Sequence, residues 1–299
     1  KNRDLFQRKT NTMDVINTPF MGMGLNVSQR LATRNSLQKL KLNENYSDVK
    51  FWGKIQGKQR DYLIAVATEA TDVITKSFYF SSDNGLNFAK LPVVDEWITE
   101  RCLKTRGMFT GNPAQVLKDP FKIKKEGDEE EEPEAEAEDE GDEGDKEAKE
   151  NDPSKRKLNE LERLAYTVQA VDADTCIVPR GSCFLTPTGE IARCLDKPLT
   201  QAEATNLDSY LLFRDPQCSA TLARIRKLGV NNNFDFLDTI EQDKPKGMWS
   251  CQADESGANV TLRSLVWTGY EFQIDLAAQS FGGCYYGYGI RNDDVLFMV

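Results

Sequence analysis

The sequence predicts an α+β fold, in which a largely antiparallel β-sheet packs with a few helices and carries a long disordered acidic insert. Runs that alternate apolar and polar residues occur in two blocks, at 47–91 and at 249–289. Helix-capping signals precede apolar stripes elsewhere, and a run of Glu, Asp and Ala separates the two blocks. Since no segment recurs at a fixed period, a solenoid is not expected.

The acidity of this 299-residue chain is concentrated in one segment. Glu126 to Asp152 contains 17 Asp and Glu residues against two Lys residues, whereas the whole chain has a formal net charge of -10. The remainder keeps 31 acidic and 36 basic residues. Because the segment has almost no apolar side chain beyond Ala, burial cannot offset the entropy of ordering, and we expect a disordered insert over 122–157. A solubilising loop without a specific role and a docking tract for a basic partner both remain open.

The composition narrows the classes of function. The chain contains no histidine, which removes the commonest general acid/base and metal ligand and excludes Ser-His-Asp or Cys-His catalysis. Catalysis by carboxylates, Lys or Tyr remains open. The seven cysteines form no C-x-x-C pair, which predicts reduced thiols in a cytoplasmic protein. No apolar run approaches the roughly 18 to 20 residues of a membrane helix, so we expect a soluble protein.

The N-terminal part is predicted to be an extended arm over 1–27 that has no core of its own. Arms of this kind often lie on a partner. A helix is expected over 28–42, with Ser28 as its N-cap. The apolar stripe of this helix consists of Leu31, Leu37 and Leu40.

A helix and a β-meander make up the predicted first half of a single domain, 28–121. Alternation of apolar residues predicts one hairpin at 47–68. A second hairpin is expected at 77–91, because its two runs are separated by an Asp-Asn-Gly turn. Asp95 then caps a short helix.

The second half of the same domain, 158–299, is predicted to be helical and then β-rich. Residues 158–171 fit either a helix or a strand, and the aromatic and β-branched residues from Tyr166 to Val171 favour a strand for the later part. A sharp turn is expected at Pro179-Arg180-Gly181.

A capping box from Thr200 to Glu203 predicts another helix. The stripe of that helix continues through Ala204, Leu207 and Leu211. Four strands are expected after it, at 249–253, 259–267, 270–275 and 282–289. The third strand alternates apolar and polar residues, which predicts one buried and one exposed face.

Aromatic residues and one arginine are the candidates for packing or contact sites. Three tryptophans are expected in strands and are interpreted as core residues in preference to interface anchors: Trp52, Trp249 and Trp267. Three tyrosines suit a contact surface because Tyr gives a large area at low entropy cost: Tyr285, Tyr286 and Tyr288. For Arg180, a bond to a partner's carboxylate and simple solvation of the turn remain open. No catalytic, cofactor-binding or metal-ligating residue is predicted.

Six sequence blocks match a known family in the same order. They are YSDVKFWGKIQGKQRDYLIA, IVPRG, SYLLFRDP, FDFLDTIEQDKPKGMWS, LRSLVWTGYEF and YYGYGIRNDDVLFMV. The chain therefore resembles the radial spoke head protein 9 family. It also shares a Phe-Thr-Gly turn at 109–111, followed by an acidic tract, with the related radial spoke head proteins 4 and 6. The N-terminal arm and the length of the acidic insert depart from the family pattern.

The resemblance implies a non-catalytic structural subunit of the radial spoke head in the axoneme of motile cilia and flagella, within the cytoplasm. Such a subunit helps to assemble the head and relays mechanical signals between the central pair and the dynein arms. The implied partners are the 4/6-type subunits and radial spoke head protein 1, with central pair projections as a transient contact. No nucleic acid partner is expected, since no dense basic and aromatic stripe is present, and no membrane partner is expected, since no apolar run is long enough to span a bilayer. The competing hypothesis is a small-molecule enzyme, for which convergent carboxylates in a deep pocket would be the sign.

Overall fold

The computed structural model describes residues 14–16, 23–69, 75–118, 120–121, 156–185, 191–193, 199–228 and 236–294. Its helices are α1 (Val27–Asn43), α2 (Glu96–Lys104), α3 (Glu160–Thr175), α4 (Gln201–Ala204) and α5 (Ser219–Leu228). Its strands are β1 (Asp48–Ile55), β2 (Tyr62–Thr68), β3 (Lys76–Ser81), β4 (Ala89–Lys90), β5 (Ile177–Pro179), β6 (Cys183–Leu185), β7 (Ile191–Arg193), β8 (Tyr210–Leu212), β9 (Trp249–Ala253), β10 (Asn259–Ser264), β11 (Tyr270–Asp275) and β12 (Ser280–Gly287). The segment predicted to be disordered lies outside the described residues, except for its last two.

Two antiparallel meanders lie side by side in one large sheet. Among the described residues this sheet has eight strands in the order β4-β3-β2-β1-β12-β11-β10-β9. Within each meander the neighbouring strands are antiparallel, whereas β1 and β12, which join the meanders, are parallel. The two hairpins predicted for the first half, the strands predicted for the last third and the α+β class are confirmed.

The sheet is covered on both faces, so it has two hydrophobic cores. On one face, α3 supplies Leu164 and Val168 to a large core that includes Trp52 and Tyr285. On the other face, Leu37 of α1 joins a smaller core of residues from the first meander and β12. Adjacent residues of β1 and β12 thus serve opposite cores, as alternation along a strand requires.

Helix α3 corrects the strand predicted for 166–171. Its apolar residues Leu164, Val168 and Val171 recur at three- and four-residue steps and are fully buried against the sheet. The start is capped, because Asn159 N donates to Glu162 Oε2 at 3.0 Å. The β-branched and aromatic residues of the later part are accommodated because burial of one helical face outweighs their weak intrinsic preference for strands.

Helix α1 begins one residue earlier than predicted, and its predicted apolar stripe is confirmed at Leu37 and Leu40, which pack on the core, but not at Leu31. Its N-cap is Asn26, whose side chain accepts from Gln29 N at 2.7 Å, and not Ser28. Leu31, expected on the core side, is 63% exposed, whereas Thr33 is fully buried. The prediction was wrong for Leu31 because it placed all three leucines of the stripe on the core side. The smaller Thr33 fits closely between the helix and the sheet.

Three further predictions in the second half were wrong. The helix that begins at the confirmed capping box ends at Ala204, so Leu211 lies in β8 and does not continue its stripe. Trp267 is buried, but it lies in the loop after β10. Glu271, expected on an exposed face of β11, is buried and forms a 3.3 Å bond to Arg263 on the neighbouring strand. By contrast, the short helix predicted after Asp95 is confirmed, with Ile98 N donating to the Asp95 carboxylate at 2.8 Å.

The described residues on either side of the acidic segment are bonded to each other. Leu117 N donates to Leu158 O at 2.8 Å, and Glu160 N donates to Gln115 O at 2.8 Å. Val116 and Asn159 form an antiparallel bridge between these two bonds. The two ends of the intervening segment are therefore held next to each other by the body itself.

Excision of residues 122–155 is expected to leave the fold intact. Replacing them with a six-residue Gly-Ser linker shortens a loop that the body already closes, so the free energy of unfolding should be unchanged or higher by about 1.5 kcal/mol. Thermal unfolding followed by circular dichroism measures this difference. A fall of more than about 5 °C in the midpoint would show that the acidic segment packs on the body.

Candidate protein-interaction site

One buried carboxylate joins the two chain segments that flank the insert. Glu160, the first residue of α3, is fully buried. Its carboxylate accepts hydrogen bonds from the Tyr62 hydroxyl at 2.8 Å, from Thr110 N at 2.9 Å and from Gly111 N at 2.8 Å. Burial, together with the adjacent carboxylate, raises the pKa of Tyr62 above its usual range. With its lone pairs engaged by these donors, the Glu160 carboxylate fixes the Phe-Thr-Gly turn to α3.

The same turn is also bonded to the β1–β2 hairpin. Lys58 N donates to Phe109 O at 2.8 Å, and Gln59 N donates to Thr110 O at 2.9 Å. The Phe109 ring is fully buried against Tyr62, with ring centroids 6.3 Å apart. The Phe-Thr-Gly turn is therefore a structural junction between the first meander and α3.

A partly open cavity of about 210 Å³ contains the other notable group of titratable residues. The ammonium of Lys76 forms an ion pair with Asp172 and lies 2.8 Å from the Cys176 sulfur, while Trp52 Nε1 donates to the Asp172 carboxylate at 3.1 Å. Burial by itself lowers the pKa of Lys76. The charges and hydrogen bonds of Asp172 and Cys176 raise this pKa by a larger amount, so it lies above its usual value. Burial raises the pKa of the Cys176 thiol. The ammonium and the carboxylate thus neutralise each other, and the thiol is held in its less nucleophilic form.

The cavity differs from the arrangement that the enzyme hypothesis requires. Besides Asp172, its described lining contains one other carboxylate, Asp48, which forms an ion pair with Lys50 at 2.9 Å. Both carboxylates are therefore engaged with lysines. Across the described ranges, no group of three or more His, Cys, Asp and Glu side chains is placed to hold a metal ion. Nor does any helix in those ranges have the length and apolarity to cross a membrane.

The outer face of α1 carries an exposed aliphatic stripe, which we call the α1 stripe. It consists of Val27, Leu31 and Leu42, which are 80%, 63% and 78% exposed. At 100° per residue these three side chains fall within about 60° of one another around the helix axis. The buried residues Thr33 and Leu37 lie on the opposite side. One side of α1 thus packs on the sheet while the other presents apolar surface to solvent.

Basic residues border the α1 stripe. Helix α1 contains two arginines and two lysines and has no acidic residue. Arg34 and Lys41 lie beside the stripe on one edge, where Arg34 also bonds to Asp14 at 2.9 Å. A surface that combines exposed aliphatic side chains with a positive border suits an apolar partner face bordered by acidic residues.

A second cluster of cations includes Arg156 and lies beside Phe121, and these are the described residues on either side of the acidic segment. The guanidinium groups of Arg101 and Arg156 lie 4.0 Å and 4.5 Å from the centroid of the Trp97 ring. The Lys104 ammonium lies 3.8 Å from the ring of Phe121. Cation–π contacts of this kind hold the positive groups in place on the surface of the body.

The residues singled out from sequence are distributed between core and surface. The three tryptophans are buried, as the core interpretation expected. Tyr285 and Tyr286 are almost fully buried, which corrects their assignment to a contact surface, whereas Tyr288 is 50% exposed. Arg180 donates to the backbone and carboxylate oxygens of Asp208 at 2.9 Å and 3.2 Å, so its described contacts lie within the chain.

Sequence reasoning missed both Glu160 and the α1 stripe. Glu160 was one glutamate in a charged run, and its contacts with Tyr62 and Gly111 join residues about 50 to 100 positions apart. The α1 stripe did leave a signal, because the apolar residues of α1 fall on two opposite sides of the helix. A helix with apolar residues on two sides indicates two packing partners.

Comparison with known proteins gives the class of protein to which this fold belongs. The chain belongs to the radial spokehead-like protein family, whose model matches residues 7–182. Over most of its length the chain is also similar to particular members, each named radial spoke head protein 9 homolog. Identity is 34% over 280 residues with the Danio rerio protein, covering 93% of this chain and 94% of the relative. The Homo sapiens and Bos taurus proteins are 30% and 29% identical over 284 and 283 residues, with the same coverage.

Proposed function

We propose that this protein is a non-catalytic structural subunit of the radial spoke head in the ciliary or flagellar axoneme. In this role it binds other spoke head proteins, the 4/6-type subunits and radial spoke head protein 1, and transiently contacts central pair projections. It contributes to motility by transmitting force between the central pair and the dynein arms. Its work is done through packed surfaces, without turnover of a substrate.

The observation that carries this proposal is the extent of the similarity. The match to proteins named radial spoke head protein 9 homolog covers 93% of this chain and 94% of each relative. Similarity that spans both chains supports a shared role for the whole body, rather than one shared module. The ion-paired carboxylates of the cavity agree with a role that requires no reacting groups.

The α1 stripe is the surface that we assign to a permanent partner in the assembly. Val27 and Leu42 are each almost as exposed as in an extended chain. Removing exposed aliphatic surface from water favours association by about 25 cal/mol per Å², which is offset in part by the entropy lost on binding. The basic border selects a partner whose matching face is acidic, since like charges at the rim would oppose association.

A triple variant tests this assignment. Changing Val27, Leu31 and Leu42 to Ser removes the aliphatic stripe and is expected to weaken binding to the 4/6-type subunits or radial spoke head protein 1 by at least tenfold. The measurement is the dissociation constant between purified proteins, together with co-purification from cells that express them together. The melting temperature should change little, because all three side chains are exposed.

The matched control removes three exposed aliphatic residues elsewhere. Leu86, Val93 and Leu103 are 64%, 86% and 62% exposed and do not lie on α1. Their combined change to Ser should leave binding unchanged. Equal binding by both triple variants would show that the α1 stripe is not part of the interface. A failure of the unmodified chain to bind any spoke head protein would refute the proposed function itself.

A further inference from the structure

The two edge strands of the large sheet differ in how well they are protected against pairing with another strand. One edge is β4, which has only two residues, one of them Lys90, and is followed closely by Pro92. Short length, a charged side chain and a nearby proline all oppose edge-to-edge pairing. Within the described residues the other edge is β9. Its sequence, Trp-Ser-Cys-Gln-Ala, contains no charge and no proline, and it pairs with β10 without a register shift.

Alternate residues of β9 direct their backbone groups away from β10. Leu265 N donates to Met248 O at 2.9 Å, and Asp254 N donates to Asn259 O at 2.9 Å, at the two ends of the ladder. Hydrogen-bonded pairs in an antiparallel ladder recur at every second residue. The residues of β9 that face β10 are therefore 250 and 252. The backbone N–H and C=O groups of 249, 251 and 253 point outward, as a template for a further strand.

Charged residues of opposite sign flank β9 at its two ends. Lys244 and Lys246 precede the strand, Asp254 and Glu255 follow it, and all of them are exposed. When two copies of such a strand lie antiparallel, the basic end of each copy lies beside the acidic end of the other. A parallel arrangement would bring like charges together, which opposes pairing. The flanking charges therefore favour a second copy of this chain, in antiparallel orientation, as the occupant of the edge.

One register between two copies of β9 uses all the outward-facing residues. In this register Cys251 lies opposite the same residue of the second copy, and Trp249 lies opposite Ala253. Each outward residue then donates one backbone bond and accepts another. Moving the two-fold axis to either neighbouring residue would leave one outward residue without a partner. The same register places the largest side chain of the strand opposite the smallest.

We propose that β9 is a self-pairing edge, through which two copies of this chain join their sheets antiparallel about a two-fold axis at Cys251. Such an interface is isologous, so the same strand serves both copies. Helix α1 packs on the first meander and β12, whereas β9 is the last strand at the other end of the sheet order. Self-pairing therefore leaves the α1 stripe open, and the inference does not depend on the proposed function.

Sedimentation velocity of the full chain in reducing buffer tests for the dimer. Pairing through one short strand gives a small interface, so we expect a reversible dimer with a dissociation constant on the order of 10 to 100 μM. The reducing buffer excludes a disulfide at Cys251 as the cause. A chain that remains monomeric at about 500 μM would overturn the proposal, because about 90% of it should then be in dimers or close to that state.

A proline at the end of β9 tests whether the dimer uses this edge. Ala253→Pro removes an outward N–H without removing a bond to β10. The two-fold axis doubles the loss, so the dissociation constant should rise at least tenfold. Since Ala253 is exposed, the midpoint of thermal unfolding should change by less than about 3 °C.

The matched control for Ala253→Pro is Lys90→Pro on the opposite edge. Leu91 N donates to Phe78 O at 2.9 Å, so the neighbouring amide of Lys90 faces away from β3. Lys90 is also exposed, and its change to Pro should leave the dissociation constant unchanged. Equal dissociation constants for the two proline variants would show that any dimer forms through another surface, which would overturn the proposal.

Charge reversal at the flanks tests the antiparallel orientation without altering the strand. Lys246→Glu or Glu255→Lys alone places like charges side by side at both ends of the pairing, and should raise the dissociation constant at least threefold at low salt. The double variant restores opposite charges and should recover the native value. A double variant as weak as the single ones would overturn antiparallel pairing. Both residues are exposed, so this test decides the question even if Ala253→Pro fails to fold.

Discussion

Replacement of Glu160 by alanine is expected to lower the free energy of unfolding by about 4 kcal/mol. The carboxylate accepts bonds from the Tyr62 hydroxyl, Thr110 N and Gly111 N, and its loss leaves two buried donors and one half-buried donor without that acceptor. Each orphaned buried donor costs about 1 to 3 kcal/mol, and removing one member of a buried polar network commonly costs 3 to 5 kcal/mol. Thermal unfolding should shift downward by roughly 8 °C or more for a body of this size.

The structure supplies a closely matched control for Glu160. Glu96 is also the first residue of a helix that follows an N-cap, but it is exposed. Its change to Ala removes only a favourable charge at a helix start, which contributes at most about 1 kcal/mol. Glu160→Gln keeps the shape and one acceptor and should fall between the two. If Glu160→Ala and Glu96→Ala were equally mild, the buried network would not be what fixes the turn to α3.

Gly53→Ala is expected to separate the two meanders and to lower the free energy of unfolding by about 3 kcal/mol. A Cβ atom at this position would lie 2.4 Å from the carbonyl oxygen of Tyr285 and 2.9 Å from its nitrogen. Both atoms are backbone on the neighbouring strand, so relief requires β1 and β12 to move apart. Overpacking of this kind costs about 1 to 3 kcal/mol, and weakened ladder bonds add to the cost.

Denaturant unfolding, followed separately by circular dichroism and tryptophan fluorescence, measures the effect of Gly53→Ala. Loss of coincidence between the two transitions would indicate that the meanders unfold separately. Gly24→Ala is the control, because a Cβ there meets only the end of the flexible Arg30 side chain at 3.8 Å. A Gly53→Ala variant as stable as Gly24→Ala would mean that the strands tolerate a wider spacing and that their junction contributes little.

Predictions from sequence succeeded where the signal was local. The 47–68 hairpin follows from alternation and a glycine turn, and the Asp95 cap follows from one side chain and a nearby amide. The Phe-Thr-Gly turn was also recognised as a family feature. Its contacts could not be predicted, because Glu160 lies on the other side of a long insert, 49 residues from Gly111 along the chain.

Predictions failed where two distant surfaces decided the outcome. Tyr285 and Tyr286 resemble the tyrosines of a contact surface, yet β12 lies at the centre of the sheet and both are buried. Leu31 resembles a core residue, yet α1 packs through Thr33 and leaves Leu31 in solvent. Tyr and Leu both occur in cores and on surfaces, so the residue type does not distinguish the two environments. The position of the strand or helix in the fold determines which of them the residue occupies.

The sequence by itself determined the strands of both meanders, the N-cap at Asp95 and the family to which the chain belongs, because each depends on residues that are neighbours along the chain. Only the tertiary structure decided that 160–175 is a helix throughout, that β1 and β12 join the meanders in parallel, and that α1 leaves aliphatic side chains exposed on its outer face. The physical reason is that burial and close approach are properties of pairs of surfaces. Gly53 and Tyr285 are more than 200 residues apart in the chain, and their contact exists only once both meanders have formed.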